Sequence, residues 1–356
     1  MKRLIINVQH RLLLLFIIYI SIASVFSACE NEIPYEPKKQ NPQLILNALL
    51  NAGEKENFVY LNLSNTQNVK HIEDATLTLY INGKNAETAQ TVPLPDSQNQ
   101  DGSSLPESAR QKKFRLTSLF KPGDVLRLEA SAEEGQYHAS AEVTVPQPVN
   151  SVQVDTCLAY IKEYDSWSWF RQFNIAIQDR PNETNYYRLN IQYAITEAGK
   201  NEMNNDTTII THQDMDIINR ADRVLTDGHP TTEDDEDNGI FITNITNKYN
   251  IFTDHRFANT TYTLKVYADN NIYISDFGQI QYTYYIKESA IIHIRSITEE
   301  EYQYLKALNC LESDDYDETI MEPVILPSNV KGGIGFVGVS SETKATIQLP
   351  DQYFYQ

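Results

Sequence analysis

The chain has 356 residues, with 48 acidic against 29 basic side chains and a formal charge of −19. That length suits two or three domains with a sizeable core. The acidic balance excludes nucleic acid and anionic headgroups as partners recruited by charge, and three cysteines without a CxxC or Cys/His cluster exclude a zinc site of the usual structural kind.

The first segment carries Lys2, Arg3 and Arg11, then an apolar run from Leu12 to Ile22, and ends Phe26-Ser27-Ala28-Cys29. This is the pattern of a secretory leader, with a cysteine where the small-residue cleavage site would fall. It resembles a lipobox, although Phe26 stands where Leu is commoner. Residues 1–28 are therefore expected to be removed, and Cys29 to carry the acyl chains of a bacterial lipoprotein. Each buried CH₂ adds about 0.8 kcal/mol of anchorage. Loss of the leader's three basic residues would take the formal charge to −22. Residues 29–42 are polar and proline-bearing and read as a tether. Glu30 and Glu32 look like the surface-export signal of lipoproteins from Bacteroides-type bacteria, which implies a body facing outward from the outer membrane.

Residues 43–148 read as short strands. Phe58-Val59-Tyr60-Leu61-Asn62-Leu63 and Ala75-Thr76-Leu77-Thr78-Leu79-Tyr80-Ile81 alternate with period two, as half-buried strands do. Asn82-Gly83 signals a tight hairpin and Lys121-Pro122-Gly123-Asp124 a turn. Leu44–Leu50, Phe114–Leu116, Val125–Ala130 and His138–Val145 complete the set. With no convincing helix, the expectation is an Ig-like or prealbumin-like antiparallel β-sandwich ending near Pro146-Gln147-Pro148.

Residues 149–356 read as a larger antiparallel β-sandwich or barrel-like domain with one short helix. Strands are expected over 151–155, 173–178, 186–193, 262–267, 282–286, 290–297 and 343–349. Thr298 followed by Glu301 is a capping-box signal opening a helix over 299–308. The fold class overall is all-β.

Candidate sites are few. Cys157 and Cys310 are an even pair in an oxidising compartment, so one disulfide is expected, with two buried free thiols as the alternative. Trp167 and Trp169 share one face if extended, with Tyr160 and Tyr164 nearby. They suit core closure, a partner contact, or stacking on a ligand. The acidic run Glu233–Gly239 hints at calcium, but its glycine falls one place late and Asn244 stands where the bidentate Glu belongs, so a solvated loop is the better reading. The histidines show no His-Glu-x-x-His spacing, and Ser340 and Ser341 lack a Gly-x-Ser-x-Gly elbow. No catalytic residue, cofactor or metal is expected. A hydrolase with a dispersed active site is the least favoured class.

Four segments carry a resemblance. They are Asn185-Tyr186-Tyr187-Arg188-Leu189, Phe252-Thr253-Asp254, Ile297 through Leu305, and Glu322 through Phe336, with its glycine-rich Asn329-Val330-Lys331-Gly332-Gly333-Ile334-Gly335. In this order, behind a lipobox, they resemble a family of Bacteroides-type outer-membrane lipoproteins known only as a domain of unknown function, DUF4249. The family's members are often encoded beside TonB-dependent receptors. The resemblance implies a non-enzymatic accessory lipoprotein of a TonB-dependent nutrient importer. A glycan-binding or adhesin-type lipoprotein without a transporter is the alternative. A peptide, glycan or other small-molecule ligand stays unnamed. On physical grounds the glycine-rich stretch reads as a bent connection into the closing strand, or else as a ligand-facing loop.

Overall fold

The computed structural model describes residues 41–353 apart from 65–68, 71, 94–110, 164–165, 202–204, 231–245, 271–279, 281, 314–315, 317–321 and 351. In chain order the strands of the first half are β1 (Leu44–Asn51), β2 (Asn57–Ser64), β3 (Val69–Lys70), β4 (Ala75–Ile81), β5 (Lys84–Thr88), β6 (Gln90–Val92), β7 (Lys112–Leu116), β8 (Val125–Ala132) and β9 (Tyr137–Thr144). The second half has β10 (Ser151–Glu163), β11 (Ser166–Gln178), β12 (Tyr186–Lys200), β13 (Asp206–Asp214), β14 (Ile217–Ile218), β15 (Ile251–Thr253), β16 (Thr261–Asp269), β17 (Tyr282–Ile297), helix α1 (Glu299–Leu311), β18 (Val337–Gln348) and β19 (Gln352–Tyr353).

Local chemistry explains the sharpest turns. Asn82 and Gly83 both take positive φ, 52° and 77°, so a two-residue loop joins β4 to β5 with Ile81 paired to Lys84. Lys121-Pro122-Gly123-Asp124 closes through Asp124 N–H donating to the Lys121 carbonyl at 3.0 Å, with Gly123 at φ 89°.

One long sheet organises the molecule. Its strand order is β13-β12-β17-β18-β1-β2-β7-β6, and two four-stranded sheets, β5-β4-β8-β9 and β10-β11-β16-β14, accompany it. Among the described residues every ladder is antiparallel except one: β1 runs parallel to β18, with Ala48 opposite Val337 and Asn51 opposite Ser340. Residues 41–356 consequently form one compact unit, since the closing strand of the second half is also a strand of the first.

The alternation along β18 shows how the layers stack. Val337 and Val339 join the hydrophobic core shared with Leu44, Leu46, Leu77 and Leu128, while Ala345 and Ile347 pack on a second core containing Phe173, Leu189, Val266 and Ile292. All four β18 positions have the same parity, so both small sheets cover the same face of the long sheet. The result is two β-sandwiches side by side on a shared layer, without a closed barrel. The opposite face of the long sheet carries Arg188, His293, Arg295, Gly338, Ser340, Glu342 and Lys344. Helix α1 lies on part of this face and packs Leu305 with Ile251 and Ile297, flanked by Tyr186, Tyr249 and Tyr302.

Two expected elements differ. The strands expected over 282–286 and 290–297 are one strand, because Lys287-Glu288-Ser289 stays in register opposite Thr196, Ile195 and Ala194, and Glu288 is buried. The capping box at α1 is half formed. Thr298 Oγ1 accepts from Glu301 N–H at 3.2 Å, but the Glu301 side chain turns away from the cap and into the protein.

Candidate functional site

The β10–β11 hairpin is longer than the strand that supports it. Its ladder runs from Ser151–Gln178 to Glu163–Ser166, whereas β16 pairs with β11 only as far as Phe170–Asp269. Among the described residues no strand flanks 166–169 on the β16 side, so these residues and their partners extend past the described part of the sheet. On one face of this overhang Trp169 lies directly opposite Tyr160, and Trp167 opposite Lys162. The Tyr160 ring stacks on Trp167 at 5.4 Å and tilts against Trp169 at 5.2 Å. Leu158, Tyr160, Trp167 and Trp169 are 51%, 52%, 50% and 58% exposed, so this cluster is a surface and closes no core. Arg220 braces the hairpin, pairing with Glu163 at 2.9 Å and donating to the Lys162 carbonyl at 2.6 Å. The described part of the hairpin end thus presents an exposed, mutually packed aromatic platform, the kind of surface that suits a partner or ligand contact.

A second, polar cluster sits on the free face of the long sheet. Arg188 and Arg295 are directly opposite each other on β12 and β17, and Glu342 of β18 is opposite Arg295. Glu342 accepts from Arg295 Nε at 3.0 Å, contacts His293 Nδ1 at 2.8 Å and pairs with Lys344 at 2.8 Å. Burial alone would raise this carboxyl; the His293 and Lys344 hydrogen bonds and the Arg295 charge outweigh it and hold it down at about 2. Glu301, at the third position of α1, is fully enclosed, and burial pushes its carboxyl up to about 7 against the opposing pull of Arg188 and Arg295. Burial, then the neighbouring Arg295, lowers the proton affinity of Arg188, which lies over the Tyr249 ring at 5.6 Å.

The segments that carried the family resemblance do structural work. Asn185 N–H and Nδ2 both donate to Asp254 Oδ2 at 2.9 Å, and Asn185 Nδ2 also reaches Asp179, which accepts from the Tyr187 hydroxyl at 2.9 Å. This buried network ties β12 to the turn after β15. Asn329 brackets Val337, donating to its carbonyl at 2.7 Å and accepting from its N–H at 2.9 Å. Gly333 and Gly335 press on β1: a Cβ at 333 would lie 2.2 Å from the Leu44 carbonyl oxygen, and one at 335 would lie 2.4 Å from that of Leu46. Gly332, at φ 76°, abuts the His138 carbonyl. The glycine-rich stretch is a bent connection fitted against the edge of β1.

Comparison with known proteins bears on identity at this point. The sequence profile of one family, described as a domain of unknown function, DUF4249, matches residues 30–346. The chain belongs to the DUF4249 family. No curated protein matches it. Among solved structures, a DUF4785 family protein from Legionella pneumophila aligns at 11% identity and TM-score 0.21, covering 69% of this chain and 50% of that one. A putative membrane-anchored protein from Corynebacterium diphtheriae aligns at 6% identity and TM-score 0.17, covering 72% and 54%. The DUF4249 chain thus spans about half the length of these structures, and at such scores neither carries an argument about fold or function.

In this DUF4249 protein the expected disulfide is absent: Cys157 and Cys310 are free, the first exposed and the second half-buried. Their elements explain why. Cys157 belongs to β10 in a four-stranded sheet, while Cys310 is in the last turn of α1, which packs on the long sheet. Cys29, Tyr164 and the acidic run at 233–239 lie outside the described residues. Among the described residues no helix is long and apolar enough to cross a membrane, and no three His, Cys, Asp or Glu side chains are grouped to hold a metal ion. Composition did not signal the Arg188, Arg295 and Glu301 cluster, because it is assembled from three elements more than a hundred residues apart in sequence at the extremes.

Proposed function

We propose that this protein is a lipid-anchored binding component of the outer-membrane surface that assists a TonB-dependent importer without covalent chemistry. The overhanging aromatic tip carries this reading. Exposed, mutually stacked Tyr and Trp rings on a braced hairpin are what a protein hot spot requires: large apolar area with little conformational freedom left to lose. Acylation at Cys29 would hold the tip at a membrane surface, where high local concentration makes modest intrinsic affinity sufficient. The acidic tether and the family setting favour a receptor as the partner.

The test is affinity capture with the intact lipoprotein from its native envelope, comparing wild type with a Trp167→Ala/Trp169→Ala variant. Recovery of a plug-containing β-barrel receptor by wild type, and its loss in the variant, is the expected result. Repeated recovery of no receptor would sink the proposal. Tip-dependent binding on a glycan array without a receptor would instead establish the adhesin-type alternative, since paired exposed indoles also suit sugar rings.

A further inference from the structure

Arg188 is the one cation of the polar face whose donors go unused. It is half-buried, yet among the described residues it donates no hydrogen bond and lies over the Tyr249 ring face. Arg295, beside it, engages Glu342 through Nε alone, which leaves its terminal nitrogens to spare. Glu301 is close enough to both guanidinium groups to feel their charge, and its Oε2, which lies against Gly338, is buried without a partner among the described residues. Desolvating a guanidinium and a carboxyl without joining them is costly, and two like charges opposite each other in a ladder add to that cost. Such an arrangement is relieved by an anion seated between the two forks.

We propose that Arg188 and Arg295 form a binding site for a small carboxylate, with Glu301 closing its inner wall. The planar guanidinium forks match a carboxylate in a bidentate manner. A monoanion fits better than a phosphate dianion, because Glu301 and Glu342 both border the site and would repel the second charge. Access is from the β18 side, where Arg295 and Lys344 are 30% and 49% exposed. Glu301 tunes the site: protonated, it offers a hydrogen-bond donor to the ligand; ionised, it competes for the arginines. The other charged groups facing the site are Tyr249 beside Arg188, Asp214 across β12, and His293, Glu342 and Lys344 beside Arg295. The site is remote in topology from the hairpin tip and stands or falls independently of the proposed docking role.

Isothermal titration of the full-length lipoprotein in detergent with acetate, a monoanion at both test pH values, at constant ionic strength in chloride, tests this. Saturable binding that is tighter at pH 6 than at pH 8 is expected. Arg188→Gln should weaken it by roughly tenfold or more, and Arg188→Lys, which keeps the charge and loses the fork, should fall between. Glu301→Gln should bind at pH 8 nearly as wild type does at pH 6, and this near-isosteric variant keeps the test open if Arg188→Gln fails to fold. Absence of saturable heat at both pH values in wild type, or binding indifferent to Glu301→Gln across that range, would overturn the assignment.

Discussion

The Glu301 carboxyl lies against the backbone of Gly338: a Cβ at residue 338 would sit 2.4 Å from Glu301 Oε2 and 2.8 Å from Leu49 Cδ2. The contact joins α1 to the parallel ladder between β1 and β18, because Leu49 and Gly338 are partners in that pairing. Gly338→Ala must push aside the buried Glu301 carboxyl and the Leu49 methyl, and the carboxyl has little free space to move into. Overpacking of this kind costs about 1–3 kcal/mol. Denaturant unfolding should show that loss, and Gly338→Ala in a Glu301→Ala background should lose less, since one of the two obstacles is gone. A Gly338→Ala midpoint equal to wild type would show that the carboxyl has room elsewhere.

The same carboxyl sets a pH dependence of defined sign. Its proton is held up to about 7 in the folded chain against an ordinary 4.5. Between those values the folded state binds the proton more tightly than the unfolded state, so this group's contribution falls as pH rises through the window. The effect is on the order of 3 kcal/mol. Glu342 acts in the opposite sense: held at about 2, it contributes stability above its ordinary 4.5 that is lost as pH falls toward 2. Thermal melts of Glu301→Gln should therefore lose the decline between about pH 5 and 7, whereas Glu342→Gln should flatten the acid limb. A Glu301→Gln profile that parallels wild type through neutrality would refute the assignment.

How much of this was legible in the sequence depends on what alternation encodes. Period two identifies a strand and its buried face, which is why Phe58–Ser64, Ala75–Ile81 and Tyr186–Tyr193 were readable, and Asn82-Gly83 fixed a hairpin by turn chemistry alone. Partners are not encoded that way. Nothing local in Val337-Gly338-Val339 signals that it pairs with Ala48–Leu50, close to the other end of the chain. β13 was missed because Asp206–Asp214 is exposed along most of its length and so carries no hydrophobic pattern. Trp167 and Trp169 could be assigned to one face, but their exposure is decided by where β16 stops, a property of another segment.

Both tryptophans of the chain sit on the hairpin tip, so fluorescence excited beyond the tyrosine absorption band reports that surface alone in the isolated protein. The free protein should emit as solvent-exposed indole and be quenched readily by iodide or acrylamide. Trp167→Ala and Trp169→Ala should each change stability by no more than about 0.5 kcal/mol, as exposed substitutions do. Under the docking role proposed above, a purified receptor should shift the emission of these two indoles to the blue and protect them from quencher. Blue, protected emission from the isolated protein would mean that the platform is already covered.

Gly335 makes the strictest demand on side-chain identity in the family-matching segment. Its φ of 115° is open only to glycine, and a Cβ there would lie 2.4 Å from the Leu46 carbonyl oxygen and 2.7 Å from Asn47 Oδ1. That same Asn47 oxygen accepts from Phe336 N–H at 2.9 Å, and Leu46 N–H donates to the Ile334 carbonyl at 2.9 Å, so the segment is stitched to β1 on both sides of the glycine. Gly335→Ala combines strained backbone, of order 1–3 kcal/mol, with a clash against strand backbone that cannot relax by a rotamer change. The variant should be destabilised by more than about 2 kcal/mol or fail to accumulate. Gly53→Ala is the control: its φ is 87°, but nothing lies within 4 Å of the added methyl, so only the backbone strain remains. Equal losses in the two variants would show that close approach to β1 contributes nothing, and that the glycine-rich stretch is held by its dihedral angles alone.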